Sequence, residues 1–375
     1  MNKLVFANLL HRPLRSIISV LAVAIEVIMI LSIVGIFMGM LNDQKQRTNG
    51  TGADLMMRPS NTSAFNGVSG APMSARLAEP LRNLPHVAVV APVITHLNTG
   101  ASIEILYGID YDTFDALKPF VFVSGNKFAG PNDVIVDDVF AGPNSKNPAT
   151  GRPYVVGDSI DLLNTSFRIC GIVEHGKGGR KLIPIDTMGA LLGGAQGKAS
   201  IFYIKVDDPK NDQAVIEEIR SVRGLADYPV QTMQEWLSEM TPEKLPGFNL
   251  ALNIVTGIAV VVGFLVIFQS MYTAVLERTR EIGILKSMGA SKSTIVTVVL
   301  REATVVAILG IVVGTVGVYA VRALLLHAFP TQHFEITTLW VAQGAAIAFI
   351  GSLCGALYPA WMAARKDPID ALAYE

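Results

Sequence analysis

Six histidines, two cysteines and a few acidic clusters are the side chains of this 375-residue chain with the means to catalyse a reaction or hold a metal. The histidines are His11, His86, His96, His175, His327 and His333, and they are scattered. His327 and His333 share a short stretch with Glu335, and two imidazoles with one carboxylate form a familiar zinc-binding set. We read that stretch as a polar loop at the level of lipid headgroups. Cys170 and Cys354 are too few for a disulfide framework or a thiolate zinc site. Asp110, Asp112 and Asp115, and the pair Asp137-Asp138, read as solvated charges at loops and strand ends. Acid–base work on a glycosidic bond would need two carboxylates held at a defined separation across a cleft. The nearest imitation of a P-loop, Gly193 to Ala199, has the wrong spacing and puts alanine where a magnesium ligand belongs. No H-E-x-x-H or G-x-S-x-G run occurs. We therefore expect no catalytic residue, no metal site and no cofactor held by this chain. A net charge of -1 excludes a strongly basic nucleic-acid binder.

The most distinctive charged run is Glu277-Arg278-Thr279-Arg280-Glu281-Ile282-Gly283-Ile284-Leu285-Lys286-Ser287-Met288-Gly289-Ala290-Ser291. Glu277 and Glu281, four apart, share one face of a helix, and Arg278 can reach Glu281 at i,i+3. Ile282, Leu285 and Met288 follow at near-helical spacing and predict an apolar stripe. Gly289 suits a helix C-terminus and Ser291 a following N-cap. The run predicts a short amphipathic helix over 277–291.

The elements that must position this helix are apolar. Hydrophobic residues make up 51% of the chain and charged residues 16%, against roughly 25% charged in soluble domains. The mean hydropathy is +0.44. Four stretches are long enough to cross a bilayer, which takes about 20 apolar residues: 17–41, 250–276, 295–326 and 338–364. The first is too long for a cleaved leader and reads as an anchor. Lys3, Arg12 and Arg15 precede span one, Arg278, Arg280, Lys286 and Lys292 lie between spans two and three, and Arg365 and Lys366 follow span four. His327–Thr337 has no Lys or Arg. The positive-inside rule then puts both termini and the 277–291 helix in the cytoplasm. It puts 42–247 outside. Short Val- and Ile-rich runs there predict strands at 87–93, 103–109, 134–136, 159–163, 167–173 and 201–206. Helical patches at 74–84, 212–222 and 232–240 complete an α+β domain.

Within the spans, Glu26 is the one deep carboxylate. It is either a neutral, hydrogen-bonded helix contact or a proton-coupling group. Gly310, Gly314 and Gly317 allow close helix approach, within the chain or in a dimer. Span three exceeds the bilayer thickness. It either projects as a stalk or tilts.

The run Ala274 to Gly283 followed by Met288-Gly289-Ala290 resembles the S-V-x-E-R-x-x-E-I-G segment of MacB-type (FtsX-like) ABC transporter permeases. Tyr358 to Arg365 with Asp367 to Leu372 resembles that family's closing P-A-x-x-A-A-x-x-x-P-x-x-A-L. Asn8 to Ser16 resembles its N-L-x-R-x-x-x-R-[ST] opening, and Pro131–Val136 and Gly171–Pro184 loosely resemble its outer domain. The resemblance implies a membrane protein of the bacterial inner membrane with four transmembrane α-helices and a large α+β extracytoplasmic domain between helices 1 and 2. Its parts would be a cytoplasmic amphipathic helix over 1–16, spans at 17–41, 250–276, 295–326 and 338–364, a domain over 42–247, a coupling helix over 277–291 and a cytoplasmic tail over 365–375. It further implies a dimer of ATPase subunits that bind ATP and Mg, a second permease copy or homologue, and in some branches a periplasmic adaptor and outer-membrane duct. Glu277, Arg278, Arg280, Glu281, Ile282, Gly283, Leu285, Lys286, Met288 and Gly289 would form the ATPase contact. With no fused ATPase ahead of Met1, the motor is expected on another chain. The implied function is coupling of ATP hydrolysis to export or extraction of a lipid, lipoprotein, peptide or drug. The alternatives are an FtsX-like regulator of an extracytoplasmic cell-wall hydrolase and a membrane-tethered receptor or enzyme without an ATPase.

Overall fold

The computed structural model describes residues 13–60, 72–99, 103–143, 145–242, 244, 248–329 and 331–366. Most of the helix expected over 1–16, with Lys3, His11 and Arg12, lies outside them, as do residues 367–375 of the tail. The chain forms two compact units, one of residues 1–39, 250–325 and 334–375, the other of 40–249 and 326–333.

The first unit is built from long helices: α1 begins it at Pro13 and ends at Asn49, and α7 (Phe248–Glu277), α9 (Lys292–Ala328) and α10 (Thr338–Arg365) complete it, with a short α8 (Thr279–Ser287) between α7 and α9. Four of these are long and apolar enough to span a membrane. Two extend beyond their apolar stretches. Both α1 and α9 run for 37 residues, about 56 Å at 1.5 Å per residue. The extension of α1 past Leu41 reads polar, which is why an apolar-run reading stops short of it. Its residues from Met40 belong to the second unit.

Glycine sets the helix contacts. A Cβ at Gly310 would lie 2.5 Å from Val23 Cβ, one at Gly314 2.8 Å from Ala24 O and Val27 Cβ, and one at Gly317 2.7 Å from Ile28 Cδ1. The stripe on α9 therefore seats α1 of the same chain, the geometry that small residues at four-residue spacing permit. On α10, Gly344 packs on Leu31 of α1, and Gly355 on Phe264 O and Ile267 of α7. The outward faces carry Leu250, Ile254, Ile258 and Val261 on α7 and Val312 and Val316 on α9, all exposed, as lipid-facing positions are.

The second unit is a mixed sheet flanked by short helices. Its strands are β1 (Leu55–Met57), β3 (Val87–Thr99), β4 (Ile103–Ile109), β5 (Phe122–Gly125), β6 (Asp133–Asp137), β7 (Ser159–Leu162), β8 (Thr165–Val173), β9 (Lys181–Pro184), β11 (Ile201–Val206) and β12 (Val230–Thr232). They run in the order β12-β1-β11-β3-β4-β9-β6-β8-β5, with β7 paired to β8. The pairs β4–β9 and β6–β8 are parallel. A separate two-stranded ribbon joins β2 (Met73–Ser74) to β10 (Lys198–Ala199). Alternation divides the core. Met56 of β1 and Tyr203 of β11 face one cluster with Tyr107, Phe114 and Trp236. Leu55, Met57, Phe202 and Ile204 face another, under α5 (Asp212–Ser221) with Ile216 and Ile219. Both faces of these strands are covered, so they read as apolar runs.

The six expected strands are all present. The expected run 159–163 ends one residue early, because Leu163 (φ 51°) and Asn164 (φ 61°) form the two-residue turn between β7 and β8, the turn class whose twist suits a hairpin. The helical patches at 74–84 and 232–240 are trimmed to α2 (Ala78–Arg82), preceded by a 3-10 turn, and α6 (Met233–Glu239). Helices α3 (Tyr111–Leu117) and α4 (Ile185–Leu191) were not foreseen. They are seven residues each, the length of α6, which the patch at 232–240 predicts.

Candidate functional site

The charged run 277–291 forms a foot between α7 and α9. Glu277 ends α7, and Arg278 makes the break before α8. The α8 C-terminus closes on Gly289 at φ 96°. Gly289 N donates to Lys286 O and Ala290 N to Leu285 O, both at 3.0 Å, the paired bonds of a Schellman ending. Ser291 Oγ accepts from Thr294 N at 3.2 Å and caps α9.

Ion pairs fix the foot. Arg278 NH1 donates to Glu302 Oε2 on α9 at 3.0 Å, and Arg15 NH2, from α1, donates to Glu302 Oε1 at 3.3 Å. Arg15 NH1 also reaches Glu277 at 3.1 Å. Glu302 is buried, at 4% exposure. Lys286 Nζ donates to Ala364 O at 3.1 Å and to Lys366 O, joining α8 to the end of α10. A cavity of about 50 Å³ beneath α8 is lined by Met271, Val275, Arg278, Ile282, Leu285 and Glu302, among others.

The expected apolar stripe divides. Ile282 and Gly283 are buried and Leu285 half-buried. Met288 is 73% exposed and Ile284 44% exposed. The outward face is therefore Ile284 and Met288 with Arg280, Glu281 and Ser287, all exposed. Ile282 faces the neighbouring helices, so it and Gly283 cannot belong to an outside contact as the residues stand. The reason is rotational. Residues 284 and 288 are four apart and share a face, whereas 282 and 285 lie on the opposite side.

Arg15 and Glu302 were not singled out from sequence as parts of this site. Each sits near the end of an apolar stretch, where a charge reads as an orientation signal or anchor. Only helix packing brings them to Arg278.

The α+β unit has its own ionic centre. Arg180 NH1 donates to Asp137 Oδ2 at 2.9 Å and NH2 to Asp43 Oδ1 at 3.0 Å. Arg47 NH2 holds the other oxygen of Asp43 at 3.0 Å. His333 Nδ1 lies 3.1 Å from Arg180 NH2 and 3.3 Å from Asp43 Oδ1. Burial, reinforced by Arg180 and Arg47, holds the imidazole below its usual value, and Asp43 opposes them. This corrects one expectation. Asp137 is a buried partner rather than a solvated charge, and burial pushes its carboxyl up while Arg180 and the Phe140 amide pull it back. His333 joins this ion-pair network from the link between α9 and α10. The other acids are local: Asp110 caps α3 through Thr113 N at 3.4 Å, Asp115 accepts from Phe120 N at 2.6 Å, and Asp138 accepts from His175 N at 3.0 Å. Among the described residues, no group of three or more His, Cys, Asp or Glu is arranged to hold a metal.

The family profile for the MacB-like periplasmic core domain matches residues 16–222, and that for the FtsX-like permease C-terminal region matches 253–368. The chain is 27% identical to the macrolide export ATP-binding/permease protein MacB of Shewanella sp. (strain ANA-3), over 97% of this chain and 59% of that protein. It thus spans less than two thirds of that relative's length. It is 23% identical to the uncharacterized ABC transporter permease YknZ of Bacillus subtilis (strain 168), over 100% of this chain and 98% of that protein. The crystal structure of the periplasmic region of MacB from Actinobacillus actinomycetemcomitans aligns with 50% of this chain and 92% of its own, at 15% identity and a TM-score of 0.38. With four spanning helices and an α+β unit between the first and the rest, this chain belongs to the MacB- and FtsX-like family of ABC transporter permeases.

Proposed function

We propose that the chain is the transmission subunit of an ABC transporter, driven by a dimer of ATPase subunits on the cytoplasmic side of the bacterial inner membrane, with ATP and Mg held by those subunits. A second permease copy completes the assembly, and the α+β domain works on an extracytoplasmic substrate of lipid, lipoprotein, peptide or drug type. The observation that carries this reading is the construction of α8. Its inward face is tied by Arg278 and Glu302 to α9, and through Arg15 to α1, while Ile284 and Met288 stand exposed, uncovered by any of the described residues. Two large apolar side chains beside Arg280, Glu281 and Lys286 suit a groove on a soluble partner. A force applied to α8 would reach α9 through Arg278 and Glu302, and α1 through Glu302 and Arg15.

The test has two arms. A Ser287→Cys variant, with Cys170→Ala and Cys354→Ala, should react with a membrane-impermeant thiol reagent only after cells are opened. Labelling in intact cells would overturn the orientation. Full-length chain purified with candidate ATPase subunits should lose them in an Ile284→Ser, Met288→Ser variant that still inserts and melts normally. Retention of the ATPase by that variant would sink the docking assignment.

A further inference from the structure

Glu26 lies within the apolar stretch of α1. The residue is 3% exposed, and neither carboxylate oxygen has a hydrogen-bond partner among the described residues. Glycine makes room for it. A Cβ at Gly263 of α7 would collide with Oε2, and one at Gly351 of α10 would lie 3.9 Å from Oε1. The side chain thus fills a notch cut into the two facing helices.

No charge answers it there. Between Leu250 and Leu276, α7 has no charged residue and one titratable one, Tyr272; between Thr338 and Ala364, α10 has only Cys354, which is exposed, and Tyr358. On α9 the charges are Lys292, Arg301, Glu302 and Arg322. Glu302 is engaged by Arg15 and Arg278. Arg15 itself lies eleven residues before Glu26 on α1, about 16 Å along the helix. An ionised carboxylate without donor or counter-ion is strongly disfavoured in apolar surroundings, and it neutralises instead.

We propose that Glu26 is a proton-binding site inside the helix bundle, occupied in the arrangement seen here, with the neutral acid filling the Gly263–Gly351 notch. When α1 leaves the notch, the carboxyl meets water, its O–H bond breaks and the proton passes to that water. When the acid is protonated again, the notch can close. Proton occupancy and the packing of α1 on α7 and α10 are then linked, each favouring the other. The linkage stands whether or not the foot docks an ATPase.

The test is carbodiimide modification of the full-length chain in liposomes, read by mass spectrometry of the peptide containing Glu26. Dicyclohexylcarbodiimide adds to protonated carboxyls in apolar surroundings. Glu26 should carry the adduct at neutral pH, where carboxyls titrating at about 4.3 are ionised, and the yield should fall as the buffer becomes alkaline. Glu26→Gln should abolish the adduct on that peptide. Gly263→Ala keeps the acid but fills its place, and should move the fall in yield to lower pH by about one unit, a tenfold loss of proton affinity. An unmodified Glu26 at every pH, or a yield independent of pH, would overturn the proposal, and that wild-type profile needs no variant to fold. A pH profile unchanged in a folded Gly263→Ala protein would overturn the role of the notch.

Discussion

Each end of α1 carries an ionic cluster, and the two are built in opposite senses. Near Arg15 the hub is a carboxylate. Glu302 gives one oxygen to Arg15 and the other to Arg278. Near Asp43 the hub is a guanidinium, with Arg180 giving one nitrogen to Asp137 and the other to Asp43. The difference follows from what each must join. Glu302 sits on a helix and gathers long, flexible arginines from two others, so the spokes find the hub. Arg180 precedes β9 on a loop and reaches short aspartates fixed on a strand end and a helix. There the hub must travel, and the planar fork of arginine matches two carboxylates at once. The side chains of Arg180 and Asp137 are 5% and 4% exposed, whereas Arg15 and Arg278 keep 17% and 12%. The hubs themselves are equally dry, with the side chains of Arg180 and Glu302 each 5% exposed; the α+β cluster is the drier by its spokes, Asp137 at 4% and Asp43 at 13%.

That ordering predicts the largest single effect. Arg180→Met should leave Asp137 and Asp43 facing one another without their shared cation, and should cost about 3–5 kcal/mol, as breaking a buried ion pair does. Denaturant unfolding of the full-length chain in detergent would measure it. A loss under about 1 kcal/mol would mean that water or Arg47 replaces Arg180, and the guanidinium hub would be a surface pair in effect.

Glu302→Gln is next. It keeps the shape and removes the charge between two arginines that water can partly reach, so the expected cost is about 2–3 kcal/mol. A loss as large as that of Arg180→Met would reverse the ranking of the two hubs.

Neither hub was legible in the sequence, and the reason is the same at both. The four spans, the foot and the six main strands follow from local patterns: apolar length, Gly289 and Ser291 at a helix break, and Val- and Ile-rich runs. Glu302 lies 24 positions from Arg278 and 287 from Arg15. No periodicity operates across such distances, and Arg15 reads equally well as an orientation signal. Asp137 looked solvated because its neighbour is a second aspartate and Arg180 lies 43 positions away. The stripe on α8 was legible as a helix face but not as an inward one, since spacing fixes which residues share a side and not what lies against it. The glycines of α9 were legible as a contact, and only packing identifies α1 as the partner.

Lys177 tests the comparison with a cation that has no carboxylate. Its ammonium donates to Phe114 O at 3.0 Å and to Lys118 O, and lies 3.8 Å from the Phe120 ring centroid. Burial lowers its pKa to about 7, opposed by Asp115 and reinforced by Lys118 and Lys205. The unfolded chain holds this proton up to about 10.4. Between about 7 and that value the unfolded state binds more protons, so stability should rise with pH across this window. Lys177→Met should flatten the rise in a pH series of unfolding midpoints. An unchanged slope would mean that the carbonyls and rings hold the ammonium as well as the aspartates hold Arg180.

The smallest effect belongs to a spoke. Glu277 touches Arg15 at 3.1 Å, but its side chain is 34% exposed. Water competes for both partners there, and Arg15 keeps Glu302 when Glu277 is neutralised. Exposed pairs of this kind contribute at most about 1 kcal/mol, less in high salt. Glu277→Gln should therefore shift unfolding by a fraction of the Glu302→Gln effect, and the shift should shrink as salt is added, while that of Glu302→Gln should hold. If the two substitutions cost the same, the cluster would be a ring of equal pairs rather than a hub with spokes. Force entering at α8 would then have two routes to α1 instead of one through Glu302.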